Sequence, residues 1–196
     1  MKEKYRQTEK ELNAYASSKS KKTSKHVICM NVKDDSNFLS FFSENETPVI
    51  SQEVADFIET STNTLNPRDQ LTLKIKSSCI DENEKVLYRK AIKEYYAEKY
   101  AATRQELKKN YFIAYSLALI GIFVLALAVF LEYRRESLIW SEVIDIVAWV
   151  FLWEAVDISF LQTRKLKMDR RRYISFAAMD IEFEDLRNDV NKGGIN

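Results

Sequence analysis

Residues 110–131 constrain this chain more than any other stretch. They read NYFIAYSLALIGIFVLALAVFL, with no Asp, Glu, Lys or Arg. At ~1.5 Å per residue such a helix is roughly 33 Å long, enough to cross a hydrocarbon core of ~30 Å. Lys108 and Lys109 stand before it, and Glu132, Arg134, Arg135 and Glu136 close it. Tyr111, Tyr115 and Tyr133 sit where interfacial aromatic anchors belong. A helix buried in a soluble core is the competing reading. It fits poorly, because 196 residues offer too little protein to cover such a helix on all sides.

A second apolar segment covers residues 138–161, and residues 134–137 leave only a short turn between the two. Two spans joined so tightly form an antiparallel hairpin. Lys93, Lys99, Arg104, Lys108 and Lys109 precede the first span, and Arg164, Lys165, Lys167, Arg170, Arg171 and Arg172 follow the second. The turn holds only Arg134 and Arg135. The excess of cations on the outer flanks predicts a multi-pass membrane protein with both termini in the cytoplasm.

The rest of the chain is organised around that hairpin. Residues 1–26 carry eight Lys or Arg against three Glu. They read as a short helix over 2–15 and a polar linker, SSKSKKTSK, that is either a flexible tether or a basic arm for lipid headgroups or a polyanion. Residues 27–80 read as a cytoplasmic α+β module. Within it, 27–32 (VICMNV) is a strand, 34–37 a turn, and the cluster Phe38, Leu39, Phe41 and Phe42 a second short strand or a helical turn. Pro48 breaks the chain. Ser51 reads as the N-cap of a helix carrying Val54, Phe57 and Ile58 and ending near Thr62. Residues 70–76 alternate, with Leu71, Leu73 and Ile75 on one side and Thr72, Lys74 and Lys76 on the other. From about residue 82 the pattern is helical without interruption, so a connecting helix over 81–109 runs straight into the first span. Its row Tyr88, Ile92, Tyr96 and Tyr100 reads as a packing face. Residues 162–196 are a basic helix and tail. Within them 179–184 could alternate as a strand joining the sheet, and the closing NKGGIN reads as disordered.

The second span is expensive. Glu142, Asp145, Glu154 and Asp157 lie in it, and a charge at membrane depth costs ~2.5–3.5 kcal/mol on insertion scales. Carboxylates in such places face a bundle interior or a water-filled path, which makes these four the pore candidates. At ~100° per residue Asp145 and Glu154 fall on opposite sides of the helix, so the four cannot line one narrow pore. The pairs Glu142/Asp145 and Glu154/Asp157 each share a side and could ring two mouths. The alternative has Glu142 and Asp157, nearer the two surfaces, at headgroup level and Asp145 and Glu154, nearer the midplane, paired with a neighbouring chain. One hairpin cannot enclose water, so a conducting path requires a homo-oligomer. Ala114, Ala118, Gly121 and Ala128 offer a small-residue contact face. Trp140 reads as an interface anchor, and Trp149 and Trp153 as lipid or packing contacts.

Catalysis has little to stand on. The single histidine, His26, lies at a linker–strand junction. There is no HExxH, HxE or CxxC motif, and the three glycines, Gly121, Gly193 and Gly194, build no phosphate loop. Neither an enzyme activity nor a cofactor or metal is expected. Cys29 and Cys79 read as reduced thiols, with a bridge left open. Net charge is +1, and residues 27–80 hold four cations against eight acids, so a polyanion gains little from the module as a whole. The local exceptions are Arg68, Lys74 and Lys76, to which Lys22 and Lys25 of the linker could add. These five are the ligand-binding candidates.

The order of cytoplasmic module, long helix, two-span hairpin and basic exit, together with WVFLWEAVDISFLQTRKLKMDRRR (149–172), resembles the two-span membrane effectors of bacterial anti-phage systems, most nearly the Hailong effectors. The resemblance implies a multimeric membrane channel held shut by oligodeoxyadenylate from a partner nucleotidyltransferase, whose loss opens the channel and stops growth. It makes the acidic span residues pore candidates and the module a ligand sensor. Beside it stands a second reading, a membrane-anchored scaffold or sensor whose module binds a protein partner.

Overall fold

The computed structural model describes residues 10–15, 17, 25–43, 47–66, 69–133 and 138–186. The linker, Lys22, Arg68, the turn at 134–137 and the terminal NKGGIN lie outside the described residues, as do most of the N-terminal helix and the side chain of Trp140. The architecture is mixed α+β: a three-stranded parallel sheet and a long apolar helix. The elements are β1 (Lys25–Val32), α1 (Gln52–Ser61), β2 (Gln70–Ser77), α2 (Glu82–Tyr133), α3 (Leu138–Asp157), a π-helical turn (Ile158–Gln162), α4 (Thr163–Ala177) and β3 (Asp180–Asp185). They form two compact units, Met1–Ala101 with Arg171–Asn196, and Ala102–Arg170.

In the first unit the strand order is β1-β2-β3. The register sets Ile28 beside Leu73 and Ile181, and Met30 beside Ile75 and Phe183. Equal-face partners in a parallel ladder thus bring the apolar alternation of all three strands to one side. Leu73 and Ile75 are completely buried there, with Ile58 of α1 and Ile92 and Tyr96 of α2. The strand alternative for 179–184 is therefore realised as β3. It also widens the module: the first unit takes in the end of α4 from Arg171 and the strand β3 that follows it. The connection from β2 to β3 is the whole of 78–179. Parallel strands need a crossover, usually helical, and here the crossover contains every long helix of the chain.

Local chemistry sets the element ends. Ser51 Oγ accepts from the Val54 amide at 3.4 Å and caps α1. At α2 the Glu84 amide donates to Asp81 Oδ1 at 2.8 Å, while the Asp81 amide donates to Glu84 Oε2 at 2.7 Å. This reciprocal box satisfies two donors that a helix start leaves open, and it fixes the start of α2 at Glu82. No Gly or Pro follows until Gly121, and α2 continues for 52 residues through the apolar stretch.

The tyrosine row faces inward as expected. Tyr88, Ile92, Tyr96 and Tyr100 are all buried. Tyr88 stacks on Phe38 with ring centres 4.2 Å apart and donates to Asp35 Oδ2 at 3.0 Å. Burial, with Asp35 close by, raises the pKa of its phenol. The Phe38–Phe42 cluster is a turn, with one antiparallel bridge between Leu39 and Ile50. Phe38 enters the core and Leu39 packs against it half-buried; Phe41 and Phe42 stand exposed, edge to face against each other.

Candidate functional site

Two helical segments of the second unit run antiparallel. Gly121 of α2 meets Leu152 and Ala148 of α3, while Tyr111, ten residues earlier on α2, lies 5.3 Å from the ammonium of Lys167 at the far end. The meeting is close. A Cβ on Gly121 would lie 2.9 Å from Leu152 Cγ and 3.3 Å from the Ala148 carbonyl oxygen. Ala114, Gly121 and Ala128 are buried at seven-residue spacing, two helical turns apart, as are Ala148 and Ala155 on α3. Ala118 is half-buried. The small-residue face read as a contact between copies is, at Gly121, occupied within the chain. Small side chains let two backbones approach, and the nearest backbone is the one a short turn supplies.

That packing locates the acids. Taking Ala148 as the direction of α2, Asp145 lies about 60° to one side, Glu142 about 120°, Glu154 about 120° the opposite way and Asp157 near 180°. Glu142 and Glu154 are exposed, Asp145 and Asp157 half-buried. None points at the α2 contact line, and Asp145 and Glu154 diverge as the wheel requires. Asp157 Oδ2 accepts from the Gln162 side chain at 3.3 Å. The π turn makes that possible, because its five-residue step sets Gln162 over Asp157. The second apolar segment is thus not one uniform α-helix over 138–161; it changes to π geometry at Ile158. Thr163 Oγ1 donates to the Ser159 carbonyl at the close of this turn. Trp149 and Trp153 are exposed, and so are Val150, Phe160 and Leu161.

The cationic candidates are distributed differently from the sequence expectation. Lys74 and Lys76 do share the sheet face away from the core, but each is engaged by Glu184 of β3, at 3.1 and 2.9 Å. Lys76 and Lys74 together hold the Glu184 carboxyl below its ordinary pKa. Because β3 was only an alternative in the sequence, its carboxylates were not placed opposite these lysines. Lys25 is exposed at the first position of β1, in register with Gln70. At ~3.3 Å per residue it is about 20 Å along the ladder from Lys76. Strand β1 does not bring it to the pair. Thr72, placed by alternation on the open side, is fully buried, as central strands of parallel sheets often are.

At the carboxyl end of β1 lies a cavity of about 480 Å³, lined by Met30, Val32, Asn37, Phe38, Val54 and Phe57 among others. Its charged residues are Lys33 against Asp34 and Glu53. Two of its walls, Val54 and Phe57, belong to α1. Another face of α1 holds a set of contacts that the sequence did not single out. Lys99 Nζ donates to Glu59 Oε1 at 2.8 Å and lies over the rings of Tyr95 and Tyr173, at 4.9 and 5.5 Å. Burial works against the Lys99 charge, yet Glu59 and Tyr95 outweigh it and raise its pKa. Arg172 donates to the Asn63 carbonyl at 3.0 Å and to its Oδ1 at 2.8 Å. Tyr96 donates to the Ala55 carbonyl at 3.3 Å and packs edge to face on Phe176. Apart from Lys99 and Tyr95, one helical turn apart, the pairs are 40 to 109 residues apart in sequence, and no spacing rule joins them.

No family model matches the chain, and no curated protein or solved structure matches it.

Proposed function

We propose that the protein is an oligomeric, ion-conducting effector of a bacterial inner membrane, with both termini in the cytoplasm and the sheet unit as its sensor. One observation carries this reading. Residues 110–131 form part of a single helix apolar enough to cross a bilayer, and its large side chains face outward: Phe112 is 74 % exposed and Phe123 69 %. In water each such ring forfeits the burial of some 150–250 Å² of surface, whereas lipid tails accept it without loss. The adjoining α3 adds Trp149 and Trp153 to this outward surface and carries four carboxylates that lipid does not accept. A ring of hairpins around water takes carboxylates out of lipid, one acidic pair rather than all four turning toward the path.

Resemblance to the Hailong effectors supports a role in anti-phage defence, with an oligonucleotide such as oligodeoxyadenylate, made by a partner nucleotidyltransferase, holding the path shut. Since Lys74 and Lys76 are already engaged by Glu184, phosphates must compete with that carboxylate or be met by cations pooled from several copies.

Purified protein in dye-loaded liposomes tests conduction. The wild type is expected to leak cations. The Glu142→Gln/Asp145→Asn or the Glu154→Gln/Asp157→Asn double variant is expected to lower that leak by at least tenfold. Equal conductance in both double variants removes the pore role of the acids. A protein that stays monomeric and soluble without detergent removes the membrane reading altogether. The exposed Phe41–Phe42 pair on the sheet unit favours the second reading, a membrane-anchored scaffold with a protein partner. Absence of leak from correctly inserted wild type decides for it.

A further inference from the structure

The first unit holds both legs of the helical segment: α2 up to residue 101 and α4 from residue 171. Both legs are gripped by the same short helix. Glu59 on α1 binds Lys99 of α2, and that ammonium also lies over Tyr173 of α4. Asn63, just past the end of α1, takes two hydrogen bonds from Arg172 of α4. The Ala55 carbonyl receives the Tyr96 hydroxyl, whose ring meets Phe176. On a different face α1 supplies Glu53, Val54 and Phe57 to the 480 Å³ cavity. A ten-residue helix is only about 15 Å long, so displacement of one face is felt on the other.

We propose that α1 is the coupling element of the protein: occupation of the cavity displaces α1, and Lys99 and Arg172 pass that displacement to the two legs. The proposal rests on the reading of the helical pair as a gated device, and it names the regulation of that device. Lys99 and Arg172 are positioning residues; they act through α1 and need touch no ligand. The arrangement suits a switch because β3 closes the sheet after the legs have returned, so neither leg can shift without disturbing the sheet or α1.

A side chain can stand in for the ligand. Full-length protein in liposomes, with Cys29 and Cys79 replaced by serine, receives spin labels at Lys108 and Arg164, both exposed and on different legs. Phe57→Trp and Val54→Phe each enlarge the α1 wall of the cavity. Both are expected to shift the label-to-label distance distribution. Adding Lys99→Met with Arg172→Gln is expected to abolish the shift, and restoring the charges as Lys99→Arg with Arg172→Lys to return part of it. Hydrogen exchange of the β2 amides reports whether each variant keeps its fold. Two folded wall variants with the wild-type distribution overturn the proposal, as does a shift that survives removal of both grips. Dye leak recorded on the same samples separates the two claims. A distance shift without any leak sinks conduction and leaves the coupling standing; leak without a shift does the reverse.

Discussion

The two units are built from the same kinds of side chain and treat them in opposite ways. Around the sheet, Leu73, Ile75, Ile58 and Ile92 are wholly buried, and Lys or Glu side chains cover the outside. Along 112–133 and 143–161 the small residues, Ala114, Gly121, Ala128, Ala148 and Ala155, are inside, and Phe112, Leu119, Phe123, Phe130 and Trp153 are outside. Water orders the first arrangement, since each Leu or Ile withdrawn from it stabilises the fold by ~1.5–3 kcal/mol. It offers nothing to the second. In hydrocarbon that gain vanishes, and what remains is close backbone approach between small residues. On the proposed membrane reading the inversion is one of two solvents, and substitutions that remove the same atoms from each unit should have unequal consequences.

The largest contrast comes from truncation. Leu73→Ala in the sheet leaves a cavity that its neighbours on α1 and α2 cannot fill, at a cost of about 2–5 kcal/mol. Phe123→Ala removes a larger side chain from the helical unit but opens no interior space; its cost in detergent is expected below about 0.5 kcal/mol, the range of surface changes. Denaturant unfolding of the full chain, followed by hydrogen exchange of each unit, reads both. Equal losses would mean that Phe123 is covered by protein, and would favour a neighbouring copy at that point over lipid.

Enlarging a small residue sharpens the comparison from the other side. Gly121→Leu drives a side chain into Leu152 and the Ala148 carbonyl, so the helices must part. Overpacking of this kind costs about 1–3 kcal/mol, while the sheet unit keeps its stability. Cysteine cross-linking between the two helices in membranes is expected to fall in yield. An unchanged yield would show that the helices repack without cost, and the seven-residue stripe would lose its significance.

Most of the frame could be read before any coordinates. Ser51 and Asp81 announce helix starts, the Tyr88–Tyr100 row shows its buried face, and residues 110–131 show a helix long and apolar enough to cross a membrane, because each signal is local and periodic. What escaped the reading was long-range. Strand β3 carries MetAspIleGluPheGlu, which alternates as well as a surface strand does, and only the return of the chain after the helices tells where it pairs. Hence the ion pairs of Glu184 with Lys74 and Lys76 were invisible, and the two lysines looked available to a ligand. The grips of Lys99 and Arg172 on α1 were hidden for the same reason. The π turn at Ile158 leaves no mark in composition at all; a five-residue step between Asp157 and Gln162 resembles any other pair of polar residues.

The smallest effect tests those hidden ion pairs, and its sign follows from linkage. Lys76 and Lys74 hold the folded Glu184 carboxyl below 4.5, the value it has when unpaired. A group so shifted contributes stability that is present above its unfolded pKa and is lost as pH falls through the folded one. Protection of the β3 amides is therefore expected to be constant at neutral pH and to weaken as acid takes the solution below 4.5. In Glu184→Gln this pH-dependent step should disappear, and protection at neutral pH should already match the acid value of the wild type. The pairs are solvent-accessible, so salt should mimic part of the change by screening them. A wild-type profile without the acid step would mean that β3 is held by its backbone ladder to β2 and the burial of Ile181 alone. Lys74 and Lys76 would then be cheap to detach, and an anionic ligand could claim them with little cost to the sheet.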